Sequence, residues 1–152
     1  MAEQAQGDTE AMYNFFNEIG IISQLSTAMF EQRLPDGLTL SQFSVLNWFA
    51  RVDTQATPGR LAKAFQVTGG AMTNTLKKLE AKKLITVMPD ESSGRKKRVT
   101  MTKKGRRLRD KAIASTAPLL IEFAELFPVE KIRRSTRQLA QVRQYLDDYR
   151  YR

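Results

Sequence analysis

Arg95, Lys96, Lys97 and Arg98 form an unbroken basic run behind the polar segment "DESSG", and a second basic pair, Lys77 and Lys78, follows Thr73 and Asn74 by less than a turn. Guanidinium and ammonium groups gathered in this way neutralise phosphates or another polyanion, while Thr and Asn carry the short donors and acceptors that read polar edges. The chemistry on offer is therefore binding. Cysteine and histidine are both absent. That excludes disulfides, thiol redox sensing, Cys/His zinc sites and imidazole acid–base catalysis. No nucleophile–base pair, paired-carboxylate site or phosphate-binding loop stands out either, so the chain reads as a non-enzyme without a cofactor or metal.

The charge is unevenly placed. Residues 1–50 hold one basic side chain, Arg33, against six acidic ones, whereas residues 60–111 hold 16 basic and 4 acidic, a net +12 within a chain of net +9. Such a concentration repels itself, and a nucleic acid or an anionic membrane surface offsets it most simply. The first ten residues are polar and acidic, unlike a signal peptide, and the apolar stretch "APLLIEFAELF" is interrupted by Glu122 and Glu125. A soluble, cytoplasmic protein with no membrane partner is expected. With 41% hydrophobic and 27% charged residues, the 152-residue chain should fold as one domain. Packed compactly, it would bury about 68–70% of its extended surface.

Helical spacing positions the candidate residues. Met12, Phe15, Phe16, Ile19, Ile22, Leu25 and Met29 form one stripe that ends near "LPDG". A second helix is expected to open at a Ser41 cap and to carry Phe43, Leu46, Trp48 and Phe49. A short third helix, with Thr57 as cap and Pro58 at its first position, ends near Phe65. Thr68 caps a fourth helix whose inner stripe is Met72, Leu76 and Leu79. Its outward face carries Gly70, Thr73, Asn74, Lys77 and Ala81, with Lys78 at the edge. The third and fourth helices have the layout of a helix-turn-helix. Segments 84–88 and 97–101 alternate as two antiparallel strands, with Ile85, Val87, Val99 and Met101 inward and a protruding loop, "PDESSGRK", between them. A basic hairpin in that place is a wing. Thr102 then caps a long helix weakened by Gly105 and expected to kink or divide at Pro118. A last helix from about Pro128 carries Ile132, Thr136, Leu139, Val142, Leu146 and Tyr149 on one stripe.

This order of elements, "RLAKAFQVTGGAMTNTLKKLEAKKLI" and the wing "DESSGRKKRVTMTKKG" together resemble the MarR family, the multiple-antibiotic-resistance regulators, from about Met12 to Tyr149. The resemblance implies a homodimer that binds double-stranded, palindromic DNA. Its recognition helices would enter successive major grooves and its wings the flanking minor grooves. Many members of the family are repressors, and a small-molecule effector often lowers their DNA affinity. Three positions depart from the family pattern: Ser93 stands where an acidic residue commonly orients the wing arginine, Lys83 replaces a usual glycine after the recognition helix, and Val87 stands where a basic residue is common.

The expected fold is mainly α, a winged helix-turn-helix with a two-stranded β wing and N- and C-terminal dimerisation helices. Residues 8–37 and 104–152 would form the dimerisation region and 38–103 the DNA-binding region. The candidate DNA-binding residues are Lys63, Thr68, Gly70, Thr73, Asn74, Lys77, Lys78, Arg95, Lys96 and Arg98, with Lys103 and Lys104 as further phosphate partners. The Gly69-Gly70 pair costs roughly 1 kcal/mol per glycine inside a helix. Either it lets the helix N-terminus approach a phosphate closely or it marks a frayed start. Tyr13, Phe16, Phe30 and Trp48 are candidates for a ligand cleft between the two regions, with membership of the core as the other reading. A nonspecific architectural DNA binder and a winged helix that binds RNA or protein are the rival functions.

Overall fold

The computed structural model describes residues 1–151, with the side chain of Ser93 outside that description. Helix α1 (Ala2–Glu31) starts ten residues ahead of its apolar stripe, because the Ala, Glu and Gln residues that precede Met12 favour helix without needing a buried face. A single 3-10 turn at Pro35–Gly37 follows, in which Asp36 and Gly37 take positive φ.

Helix α2 (Leu40–Arg51) is capped by Thr39, not Ser41. The Thr39 hydroxyl accepts from the Gln42 amide at 3.2 Å, and Gln42 Oε1 accepts from the Thr39 amide at 3.4 Å. Thr39 and Gln42 thus close a reciprocal capping box, which Ser41 and Ser44 lack the chemistry to make. Gln42 is buried, and Lys82 Nζ donates to the same Oε1 at 3.1 Å. Phe49 and Leu46 enter the core as expected, while Phe43 and Trp48 are half-buried at its margin.

Strand β1 (Gln55–Ala56) is too short to leave an alternating pattern in the sequence. Helix α3 (Pro58–Phe65) has the expected Thr57 cap, whose Oγ1 accepts from the Arg60 amide. Helix α4 (Gly69–Ala81) is likewise capped by Thr68 and buries Met72, Leu76 and Leu79. It ends with Lys83 at φ 60 and a bond from the Leu84 amide to the Leu79 carbonyl, a left-handed C-terminal closure. The left-handed conformation costs an L-residue with a side chain about 1–2 kcal/mol, part of which a glycine would return as unfolded-state entropy. Lys83→Gly should therefore stabilise the fold by about 0.5–1 kcal/mol. A raised urea midpoint at unchanged slope is the expected result, and a lowered midpoint would contradict it.

Strands β2 (Ile85–Asp90) and β3 (Ser93–Met101) pair antiparallel, with Ile85 opposite Met101 and Val87 opposite Val99. The inward residues are those the alternation indicates. Contrary to the expected loop over 89–96, pairing continues almost to the tip and leaves Glu91 and Ser92 as the turn. Arg95 and Lys96 are therefore strand residues. The sequence hides this because the outer half of the hairpin has no core to face, so neither of its faces is apolar. β1 pairs with β3 on its other side, giving a three-stranded sheet of order β1-β3-β2 where two strands were expected.

Helix α5 (Lys103–Leu126) begins at the expected Thr102 cap and continues through Pro118 as one element, so the anticipated division is absent. The proline forgoes one backbone hydrogen bond in a 24-residue helix, and the chain breaks instead at Phe127 and Pro128, where α6 (Val129–Tyr149) turns away by 103°. No single helix among the described residues is long and apolar enough to cross a membrane. The core sits among α2, α3, α4, the sheet and the first half of α5, built on Leu46, Leu61, Leu79, Leu84 and Val99. Neither α1 nor α6 buries a single residue.

Candidate nucleic-acid interface

Helix α4 buries one stripe, so its remaining residues face outward. Gly70, Thr73, Asn74, Lys77 and Lys78 are all exposed, as is Lys63 on α3. A Cβ built on Gly69 or Gly70 would meet nothing within 4 Å, so the helix start is open to close approach from outside. The Thr68 hydroxyl oxygen is occupied as the cap acceptor for the Ala71 amide at 3.1 Å, while its O–H remains a donor.

The wing lies beside this face. Thr73 of α4, Thr57, Pro58 and Gly59 at the start of α3, and Arg95, Lys96 and Lys97 of β3 line one groove of about 390 Å³. A second concavity places Glu80 of α4 near Val87, Met88 and the same three basic residues. Thr73 is thus brought together with Arg95 and Lys96, which lie far from it in sequence. Asn74, Lys77, Lys78 and Lys63 stand outside the groove on the adjoining exposed surface. Lys97 is not among the sequence candidates. Its signal is parity: on a strand, residues 95, 97 and 99 share a face, so Lys97 follows the inward Val99 toward the helices.

Arg98 shares the opposite face with Thr100. It stands across from Met88 and reaches diagonally to Asp90, its Nη2 donating to Asp90 Oδ1 at 3.3 Å. The same Oδ1 accepts from the Ser92 amide at 3.2 Å and the Ser92 hydroxyl at 3.0 Å. These two bonds, and more weakly the nearby Arg98 and Lys96 charges, hold the Asp90 carboxyl below its ordinary pKa. Among the described residues, the side chains of Lys63, Lys77, Lys78, Arg95, Lys96 and Lys97 enter no ion pair. Lys104 has a structural partner: its Nζ donates to the Lys82 carbonyl at 3.0 Å, where a cation favours the C-terminal end of α4.

Arg60, on α3, is a further basic residue. Its Nη1 lies 2.6 Å from Asp53 Oδ2 and its guanidinium carbon 5.0 Å from the Trp48 ring centroid. The bond from Arg60 lowers the Asp53 pKa, helped by the Gln55 amide.

The four aromatic ligand candidates do not meet in one cavity. Phe16 lines an apolar groove of about 650 Å³ with Ile19, Leu139, Val142 and Leu146, whereas Trp48 lines a pocket of about 440 Å³ with Asn47, Arg51, Val52 and Phe65. Tyr13 and Phe30 line neither. No group of three or more Asp or Glu side chains among the described residues is placed to hold a metal ion.

A MarR-family model matches residues 36–96. No match was found among curated proteins. Among solved structures, the chain is similar to the transcriptional regulator BldR from Sulfolobus solfataricus, at 26% identity and a TM-score of 0.76, over 88% of this chain and 96% of that one. A mutant MarR from E. coli complexed with operator DNA is 22% identical, with a TM-score of 0.78 over 87% of this chain and 95% of that one. The MepR–DNA complex of S. aureus is 24% identical, with a TM-score of 0.77 over 87% and 97%. The last two likenesses are of fold.

Proposed function

We propose that this chain, whose residues 36–96 match a MarR-family model, is a homodimeric, sequence-specific regulator of transcription that acts as a repressor on double-stranded DNA. The observation that carries the reading is the groove in which Thr73 of α4 meets Arg95, Lys96 and Lys97 of the wing. In it and around it, cations without an ion-pair partner lie beside short polar side chains. Thr73 and Asn74 read base edges in the major groove, with Gly70 and the Thr68 O–H admitting a phosphate to the start of α4. Lys63, Lys77, Lys78, Arg95, Lys96 and Lys97 neutralise the backbone on either side.

A second copy of the chain supplies the symmetry. A compact monomer of this mass exposes about 7,800 Å², whereas this chain exposes 11327 Å². Apolar side chains on α1 and α5 contribute to the excess: Leu25 is 67% exposed, Ile121 62% and Leu126 70%. Apolar surface on that scale is what an obligate dimer covers. The pocket beside Trp48 is the place for an effector, because it adjoins α3 and so connects with the recognition unit.

Selection of bound sequences from random duplex DNA at near-physiological salt tests the proposal. Enrichment of a palindrome with half-site centres about 10–10.5 base pairs apart is expected of a symmetric dimer. Salt-sensitive binding without an enriched sequence would replace the regulator with a nonspecific architectural protein.

A further inference from the structure

Asp90 is out of place in a surface that works by positive charge. A wing selected for phosphate affinity alone gains nothing from a carboxylate near its tip, since that charge repels the same phosphates the cations attract. Yet the Asp90 side chain is 12% exposed and its Oδ1 receives three hydrogen bonds, from the Ser92 amide, the Ser92 hydroxyl and Arg98. The residue sits where the register of the hairpin shifts, between Pro89 and Asp90. A shift of this kind increases local twist and re-aims the strand beyond it. Arg98 approaches from the face of β3 opposite to Arg95 and Lys97, so its guanidinium is directed to the hairpin's own turn.

We propose that Asp90 is a positioning residue, holding Arg98 to the hairpin tip so that Arg98 braces the wing from one face while Arg95 and Lys97 meet phosphates on the other. The inference rests on the DNA-binding reading above and assigns opposite roles to neighbouring cations. It also makes an exchange: one potential phosphate ligand per subunit is given up, and a fixed orientation of the others is gained. The Arg98 side chain is 45% exposed, and an ion pair open to water on one side contributes little to folding stability. The brace therefore shows itself in the complex with DNA and hardly at all in the free protein.

Asp90→Asn separates the two functions of the carboxylate. Asparagine still accepts from Ser92 and keeps the turn, but it removes the charge that holds Arg98. Binding to the selected duplex should weaken by about fivefold or more, although the substitution makes the protein more positive. Arg98→Gln should weaken binding similarly with the salt slope unchanged, and the double variant should be no weaker than either single one, because each breaks the same pair. The melting temperatures of all three should stay close to that of the original chain. Tighter or equal binding by Asp90→Asn would overturn the proposal, since removal of a repelling charge would then suffice to explain it. So would a salt slope flattened by about 0.9 per subunit in Arg98→Gln, the signature of a lost phosphate contact. Failure of the original chain to bind any duplex would instead overturn the DNA-binding reading and the brace with it.

Discussion

Replacing Gly105 by alanine lowers the stability of the fold by about 3 kcal/mol and its melting temperature by about 10 °C. The added Cβ would stand 2.2 Å from the Leu84 carbonyl oxygen and 2.9 Å from Met101 Cγ. Methionine can swing aside, but the carbonyl cannot. Leu84 O already accepts from the Thr102 amide at 3.0 Å, and Thr102 Oγ1 in turn accepts from the Gly105 amide at 3.0 Å and donates to the Lys83 carbonyl at 2.8 Å. The start of α5, the end of β3 and the approach to β2 are therefore locked together around a position with no room for a methyl group. Gly7→Ala is the matching control, because Gly7 lies within α1 and meets nothing within 4 Å. That substitution should stabilise by about 0.5–1 kcal/mol. Thermal melts followed by circular dichroism compare the two, and equal melting temperatures for Gly105→Ala and the original chain would refute the packing argument.

The second large effect is on binding. If each subunit of a dimer brings Lys63, Lys77, Lys78, Arg95, Lys96 and Lys97 to phosphates, affinity for duplex DNA falls by about 10⁵ or more between roughly 50 and 200 mM salt, through release of condensed counterions. Arg95→Ala should weaken the complex by about 1–3 kcal/mol and flatten the slope of log affinity against log salt by about one per subunit. A titration with a fluorescent duplex reads both quantities. An unchanged slope and affinity for Arg95→Ala would remove this residue from the interface, and a slope near zero for the original chain would remove the interface itself.

Much of this architecture was legible because core and solvent impose a period on the chain. The stripe Met72, Leu76, Leu79 placed α4 in rotation as well as in sequence, and thereby oriented Thr73, Asn74 and Lys77. Thr57, Thr68 and Thr102 declared their helix starts by residue type and by what followed them. The misreadings fall where a period is lacking. β1 is two residues long, and the outer wing has two polar faces, so Arg95 and Lys96 read as loop although they pair across a sheet. Ser41 has the residue type of a cap, but the side chain of Gln42 completes its box with Thr39. Pro118 marks a break that the helix does not take, because one missing donor is a small loss against 24 residues of continuous backbone. The division of the wing cations into Arg95 and Lys97 on one face and Arg98 on the other follows from strand parity, which is readable only once the extent of β3 is known. The grouping of Tyr13, Phe16, Phe30 and Trp48 had no period behind it, and the fold separates them.

The order β1-β3-β2 leaves the wing with two outer edges, and neither invites another strand to join it. β1 offers two residues, too few to seed a ladder. β2 carries Pro89, which has no N–H to donate, next to a register shift that interrupts a straight run of pairing groups. Its neighbour β3 holds four consecutive cations that would repel the same segment of a second wing. A hairpin that must stand out in solvent is thereby protected from edge-to-edge aggregation by the residues that shape its tip.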